Sequence, residues 1–129
     1  MDALFQIRGK VVEGRRVGRT LGFPTLNLEG VHEMPFGVYA GRVHTPLGHY
    51  KGALHYGPRG ILGLEQPMLE VHLLDFEGDL YGESVVVDVY NKVRDVMPFT
   101  DHESLKKQIE KDVKEVRRLI LSHDQISQE

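Results

Sequence analysis

Over roughly its first hundred residues this chain never runs far without a glycine or a proline, and the stretches between those breaks are rich in β-formers. Phe5 to Val12 alternates, with Phe5, Ile7, Gly9 and Val11 on one face, as a half-buried strand does. Gly37-Val38-Tyr39-Ala40-Gly41-Arg42-Val43 is β-rich. The turn Thr45-Pro46-Leu47-Gly48 separates it from Tyr50–Tyr56, which predicts a hairpin. Met68–Phe76 is a further apolar segment, Glu77-Gly78-Asp79 is turn chemistry, and Ser84–Tyr90 is dense in β-branched residues. After Phe99 the period changes. Thr100 with Glu103 fits a capping box, and Leu105, Ile109, Val113, Val116 and Ile120 recur at helical spacing. That stripe reads as core packing, and the polar residues from Gln125 to Glu129 are expected to fray. Short strands closed by one helix predict a mainly β fold: a small antiparallel barrel over about residues 4–99, with a helix over about 101–121 packed on it.

The 129 residues fit one domain spanning 1–129. A formal net charge of −3 gives no reason to expect nucleic acid as a partner. A barrel that stacks single-stranded bases is disfavoured too, because only 8% of residues are aromatic and none is Trp. Without cysteine, disulfides and thiolate metal sites are excluded. No apolar run reaches spanning length, and Met1-Asp2-Ala3-Leu4-Phe5 lacks the start of a signal peptide. The expectation is a cytoplasmic protein with no membrane partner.

Residues 18–27 carry the densest chemistry. Gly18 and Gly22 allow close backbone approach to a ligand, while Arg15, Arg16 and Arg19 bring positive charge. Thr25 and Asn27 are hard oxygen ligands two apart, so an extended segment presents both on one face. A phosphate cradle beside oxygens suited to Mg²⁺ is what phosphoryl transfer requires. Glu70 is a candidate general base for a primary alcohol; its neighbours Met68, Leu69, Val71 and Leu73 are apolar, and partial desolvation by them would raise its pKa. His72 shares the face of Glu70 and reads as structural. The seven histidines, His32, His44, His49, His55, His72, His102 and His123, show no zinc-like spacing, so none is assigned as a metal ligand.

In their order these pieces resemble the riboflavin kinase family. The motifs are Gly9-x-Val11 with Gly14; Gly18-Arg19-x-Leu21-Gly22-Phe23-Pro24-Thr25-x-Asn27-Leu28; Gly37-Val38-Tyr39-Ala40; Glu70-Val71-His72-Leu73-Leu74-Asp75-Phe76; and Asp79-Leu80-Tyr81-Gly82. Arg94 and Phe99 then precede a helix holding Gln108-Ile109-x-x-Asp112. The likeness covers roughly residues 5–120. It implies a six-stranded Greek-key-type barrel with a C-terminal helix, and transfer of the γ-phosphate of ATP to the 5′-hydroxyl of riboflavin, giving FMN. By the same resemblance, Thr25 and Asn27 are ligands of Mg²⁺ or another divalent ion, and Glu70 is the catalytic base. Gly14, Gly18, Arg19, Gly22, Phe23, Pro24 and Thr25 line the nucleotide phosphates, His72, Leu80 and Tyr81 lie on the adenine side, and Arg94 and Phe99 on the flavin side. The partners implied are riboflavin, FMN, ATP and ADP, with the protein a monomer.

Two stretches depart from the family's pattern. Where relatives carry Asn-Ile-Gly-x-x-Pro-Thr, this chain has His55-Tyr56-Gly57-Pro58-Arg59-Gly60-Ile61, read as a loop bordering the site. The acidic residue often found between Arg94 and Phe99 is replaced within Asp95-Val96-Met97-Pro98. These departures motivate an alternative reading, a flavin- or nucleotide-binding barrel that has lost catalysis. Many relatives carry an adenylyltransferase domain ahead of the kinase; with four residues before Phe5, this chain is expected to stop at FMN.

Overall fold

The structure, a computed structural model, describes residues 3–12, 25–28, 32–59, 65–98 and 101–127. The strands are β1 (Phe5–Val12), β2 (Thr25–Leu28), β3 (Gly37–Thr45), β4 (Gly48–Arg59), β5 (Glu65–Leu73) and β6 (Ser84–Arg94), followed by one long helix, α1 (His102–Ser127). They close into a barrel in the order β1-β2-β5-β4-β3-β6. Every neighbouring pair is antiparallel. The mainly β barrel with a C-terminal helix is therefore as the sequence predicts, and closure gives every strand a neighbour on both sides.

Alternation divides the side chains into two cores. Leu26, Leu28, Tyr39, Leu54, Tyr56, Leu69, Val71, Leu73, Val87 and Val89 fill the barrel. On the outer wall Ala40 and Ala53 present small side chains, and Ile109, Val113, Val116 and Ile120 of α1 pack over them. Small residues at that spot let the helix axis approach the sheet closely. Five predicted helix-stripe residues are thus interface residues, with Leu105 at the rim.

Two glycines are required by geometry. Gly48 ends the β3–β4 turn at φ 134°, a conformation side chains resist. Gly41 lies beside a register shift in the β3–β6 ladder. A Cβ there would meet the Asp88 carbonyl oxygen at 2.5 Å and Leu54 Cδ1 at 2.6 Å.

Several boundaries differ from expectation. β4 runs on through Pro58 to Arg59, so residues 55–59 are strand and not loop; the proline sits at the irregular register between Gly57 and Arg59, where a missing N–H is tolerated. β6 reaches Arg94, and α1 continues to Ser127. The helix is capped by Asp101, whose carboxylate accepts hydrogen bonds from the Ser104 backbone N–H at 2.7 Å and from its hydroxyl at 3.0 Å. The predicted cap Thr100 lies outside the described residues.

Candidate active site

Strand register assembles the site on the barrel's outer wall. Leu26 and Leu28 face inward, so Thr25 and Asn27 share the opposite face of β2. Across the ladder Thr25 pairs with His72 and Asn27 with Glu70. On the other side of β5, Glu70 pairs with His55 and His72 with Ala53. Cross-strand partners stand about 5 Å apart at Cβ. Asn27, Glu70 and His55 therefore form one row, and Thr25, His72 and Ala53 the next.

A pocket of about 170 Å³ opens in front of this wall, beneath α1. Val38, Ala53, His55, Glu70, His72 and Arg94 line its floor; Leu105, Ile109 and Asp112 of α1, with Met97, close it. Apolar and ionisable side chains both line it, with Val38 set between Arg94 and His55 by the register. The Glu70 carboxyl, its side chain 30% exposed, lies 3.8 Å from His72 Nε2. Thr25 Oγ1 lies 3.4 Å from His72 Nδ1.

Burial sets the charge state of the histidines. His72 is pushed down to about 4, first by burial and then by its neighbour His55, with Asp112 opposing weakly. His55 is lowered by burial and by the Arg94 guanidinium, with its own backbone and Asp112 pulling the other way. Both imidazoles are neutral at pH 7, so neither adds a positive charge beside Glu70.

The far wall is fixed by an ion pair. Arg94 Nε and Nη2 donate to the two carboxylate oxygens of Asp112 at 2.9 and 2.8 Å, and Gln108 Nε2 donates to Oδ1 at 3.0 Å. Asp112 is only 4% exposed. A forked pair of this kind joins the end of β6 to α1 in one geometry. Arg94 thus lines the pocket, with Asp112 holding it there.

Sequence reasoning missed the places of His55 and Asp112. Asp112 was part of a quoted motif without a role; its spacing from Arg94 crosses the strand–helix junction and leaves no local signal. One argument is corrected: Leu69 and Val71 point into the barrel, so they do not desolvate Glu70. Two nucleotide candidates lie away from the pocket. Leu80 is buried in the barrel core, where only its backbone could meet a ligand, and Tyr81 is exposed. Gly14, Gly18, Arg19, Gly22, Phe23, Pro24 and Phe99 lie outside the described residues.

Among the described residues no three His, Cys, Asp or Glu converge as a metal site. The Thr25 hydroxyl and Asn27 amide are neutral oxygens. Two such donors fit a hard cation that arrives with phosphate oxygens and keeps several waters, which is how Mg²⁺ is usually held.

Comparison with known proteins agrees with this layout. The Flavokinase (riboflavin kinase) family model matches residues 1–120. The chain is 39% identical over 112 residues to a bifunctional riboflavin kinase/FMN adenylyltransferase of Haemophilus influenzae, covering 84% of this chain and 36% of that protein. It is 37% identical over 109 residues to the RNA-binding riboflavin kinase RibR of Bacillus subtilis, covering 83% and 47%. A solved riboflavin kinase from Trypanosoma brucei superposes with a TM-score of 0.61 at 25% identity, over 90% of this chain and 79% of that one. The chain thus spans between about a third and a half of the curated relatives described. With the family model spanning nearly all of it, and the barrel and outer-wall pocket in place, the chain belongs to the riboflavin kinase family.

Proposed function

We propose that this chain transfers the γ-phosphate of ATP to the 5′-hydroxyl of riboflavin, producing FMN and ADP. The observation that carries the reading is the row Asn27–Glu70–His55, which sets a carboxylate that lines the pocket beside a hard oxygen ligand. The apolar part of the lining, Val38, Met97, Leu105 and Ile109, suits the flat ring of a flavin. The ribityl chain would then run toward Glu70.

Glu70 accepts the hydroxyl proton as the new O–P bond forms and the bond to the ADP oxygen breaks. Thr25 and Asn27 hold Mg²⁺, which, when bound with the nucleotide, neutralises phosphate charge. Neutral His72 orients Thr25 and flanks Glu70 without competing for its negative charge. The pocket walls position the alcohol and exclude water, and positioning of this kind supplies much of the rate in phosphoryl transfer. Residues 14–24 complete the nucleotide side in this reading, with Leu80 and Tyr81 toward adenine. RNA figures in the name of the Bacillus relative, but this chain's net charge of −3 does not favour it as a partner.

Incubating the protein with riboflavin, ATP and Mg²⁺ and following FMN by chromatography tests the reading. FMN should accumulate in proportion to ATP consumed. Riboflavin binding without any FMN would leave a flavin-binding barrel instead, the outcome that His55 and its altered neighbours in β4 would then explain.

A further inference from the structure

At the opposite end of the β3–β4 hairpin, His44 and His49 face each other across the ladder. Their Nδ1 atoms are 3.3 Å apart, and the rings meet edge to face. The other ring nitrogen of His44, Nε2, lies 2.7 Å from Asp88 Oδ2. Asp88 Oδ1 in turn accepts a hydrogen bond from Gln6 Nε2 at 2.9 Å. The four residues come from four strands, β3, β4, β6 and β1: two imidazoles, an orienting carboxylate, and an amide that orients the carboxylate.

We propose that His44 and His49 form a two-imidazole site for a borderline-soft divalent ion such as Zn²⁺, with Asp88 as the orienting carboxylate. Two imidazole lone pairs do not face each other at this distance unattended; a proton or a metal cation lies between them. Two nitrogens bound tetrahedrally to zinc at about 2.0–2.1 Å are themselves about 3.3 Å apart. The separation therefore suits the metal without moving either strand. Asp88 holding Nε2–H of His44 leaves Nδ1 deprotonated and aimed at its partner, the arrangement that commonly supports metal-bound histidine. Imidazole nitrogens select Zn²⁺, Cu²⁺ or Ni²⁺ over Mg²⁺.

Exposure permits entry: the His44 side chain is 38% exposed, that of Asp88 17%. Only two protein ligands are present, in keeping with the lack of any three-residue cluster among the described residues, so water completes the shell. Arg42 and Lys51, one position further along the same faces, oppose a cation and keep the affinity modest. Six residues of β4 separate His49 from His55, about 20 Å at strand rise, so this site is distinct from the oxygen donors Thr25 and Asn27.

Calorimetric titration of ZnCl₂ into tag-free protein tests the proposal. Saturable binding of one ion is expected, with a rise in Tm that excess Mg²⁺ does not reproduce. His49→Gln and His44→Gln, both at accessible positions, should abolish it, and Asp88→Asn should weaken it about 10–100-fold. Absence of saturable binding, or binding that survives His49→Gln, overturns the proposal; it would leave a shared proton between the two rings. Affinity unchanged in Asp88→Asn removes the carboxylate from the site.

Discussion

Glu70 shows how strand alternation sorts chemistry from packing within three residues. Its neighbours Leu69 and Val71 are fully buried in the barrel, while Glu70 itself meets Asn27, His55 and His72 on the outer wall. Glu70→Gln keeps the shape and removes the proposed proton acceptor. Turnover should fall by about two to four orders of magnitude, with riboflavin affinity, read by fluorescence quenching, largely retained. Unchanged turnover would take Glu70 out of the mechanism. Asn27→Ala should weaken Mg-ATP binding instead, measured by titration, because the proposed reading assigns its buried amide oxygen to the metal. His72 belongs to the same scale and yields a pH prediction. Its folded pKa of about 4 lies below the 6.5 of an ordinary histidine, so the unfolded chain binds its proton first as pH falls. Stability is undiminished above pH 6.5 and is lost progressively between about 6.5 and 4, by roughly 3 kcal/mol in all. His55 is shifted in the same direction. Urea midpoints across pH 4–7 should show this slope, and His72→Gln should flatten it; an equally steep slope in the variant would assign the loss to other groups.

Elements were more legible in the sequence than their contacts. The hairpin, the β-branched strand Ser84–Tyr90 and the helical stripe all carry periodicity that survives in the structure. Thr25, Asn27 and Glu70 could be placed on faces by counting in twos. What joins them could not be read, because cross-strand register depends on where β2 pairs with β5, and no local signal sets that. Pro58 and Gly57 masked the end of β4 for the same reason that they are tolerated there, at an irregular pairing. The Arg94–Asp112 pair crosses from a strand end to a helix, where neither period applies. That pair gives the prediction proper to this scale. Asp112→Ala strands a largely buried guanidinium and unpins α1, and should cost about 3–5 kcal/mol. Replacing both partners, Arg94→Met with Asp112→Leu, should recover most of that loss in urea denaturation while still damaging flavin binding. A loss under 1 kcal/mol for Asp112→Ala would show that the Arg94–Asp112 pair has no part in seating the helix.

For the whole molecule, the position of the pocket between the barrel's outer wall and α1 has a consequence for dynamics. The barrel interior closes on itself through six antiparallel pairings, whereas α1 is held to it by packing over Ala40, Ala53 and Leu74, by the Arg94–Asp112 fork and by the exposed Arg117–Asp75 pair. A ligand in the pocket touches barrel floor and helix together, so its binding energy is shared by the weaker of the two attachments. Riboflavin at a hundred times its Kd should add about 2.7 kcal/mol to global stability. The local effect should be uneven. Hydrogen exchange at Leu105–Ile120 should slow in proportion to ligand occupancy, since those amides open when the helix lifts. Amides of Val71 and Val87, buried in the closed barrel, should slow only as far as global unfolding is suppressed. A ligand that raises Tm but leaves exchange in α1 unchanged would show that the flavin binds elsewhere on the barrel, and that the helix is a buttress with no part in closing the site.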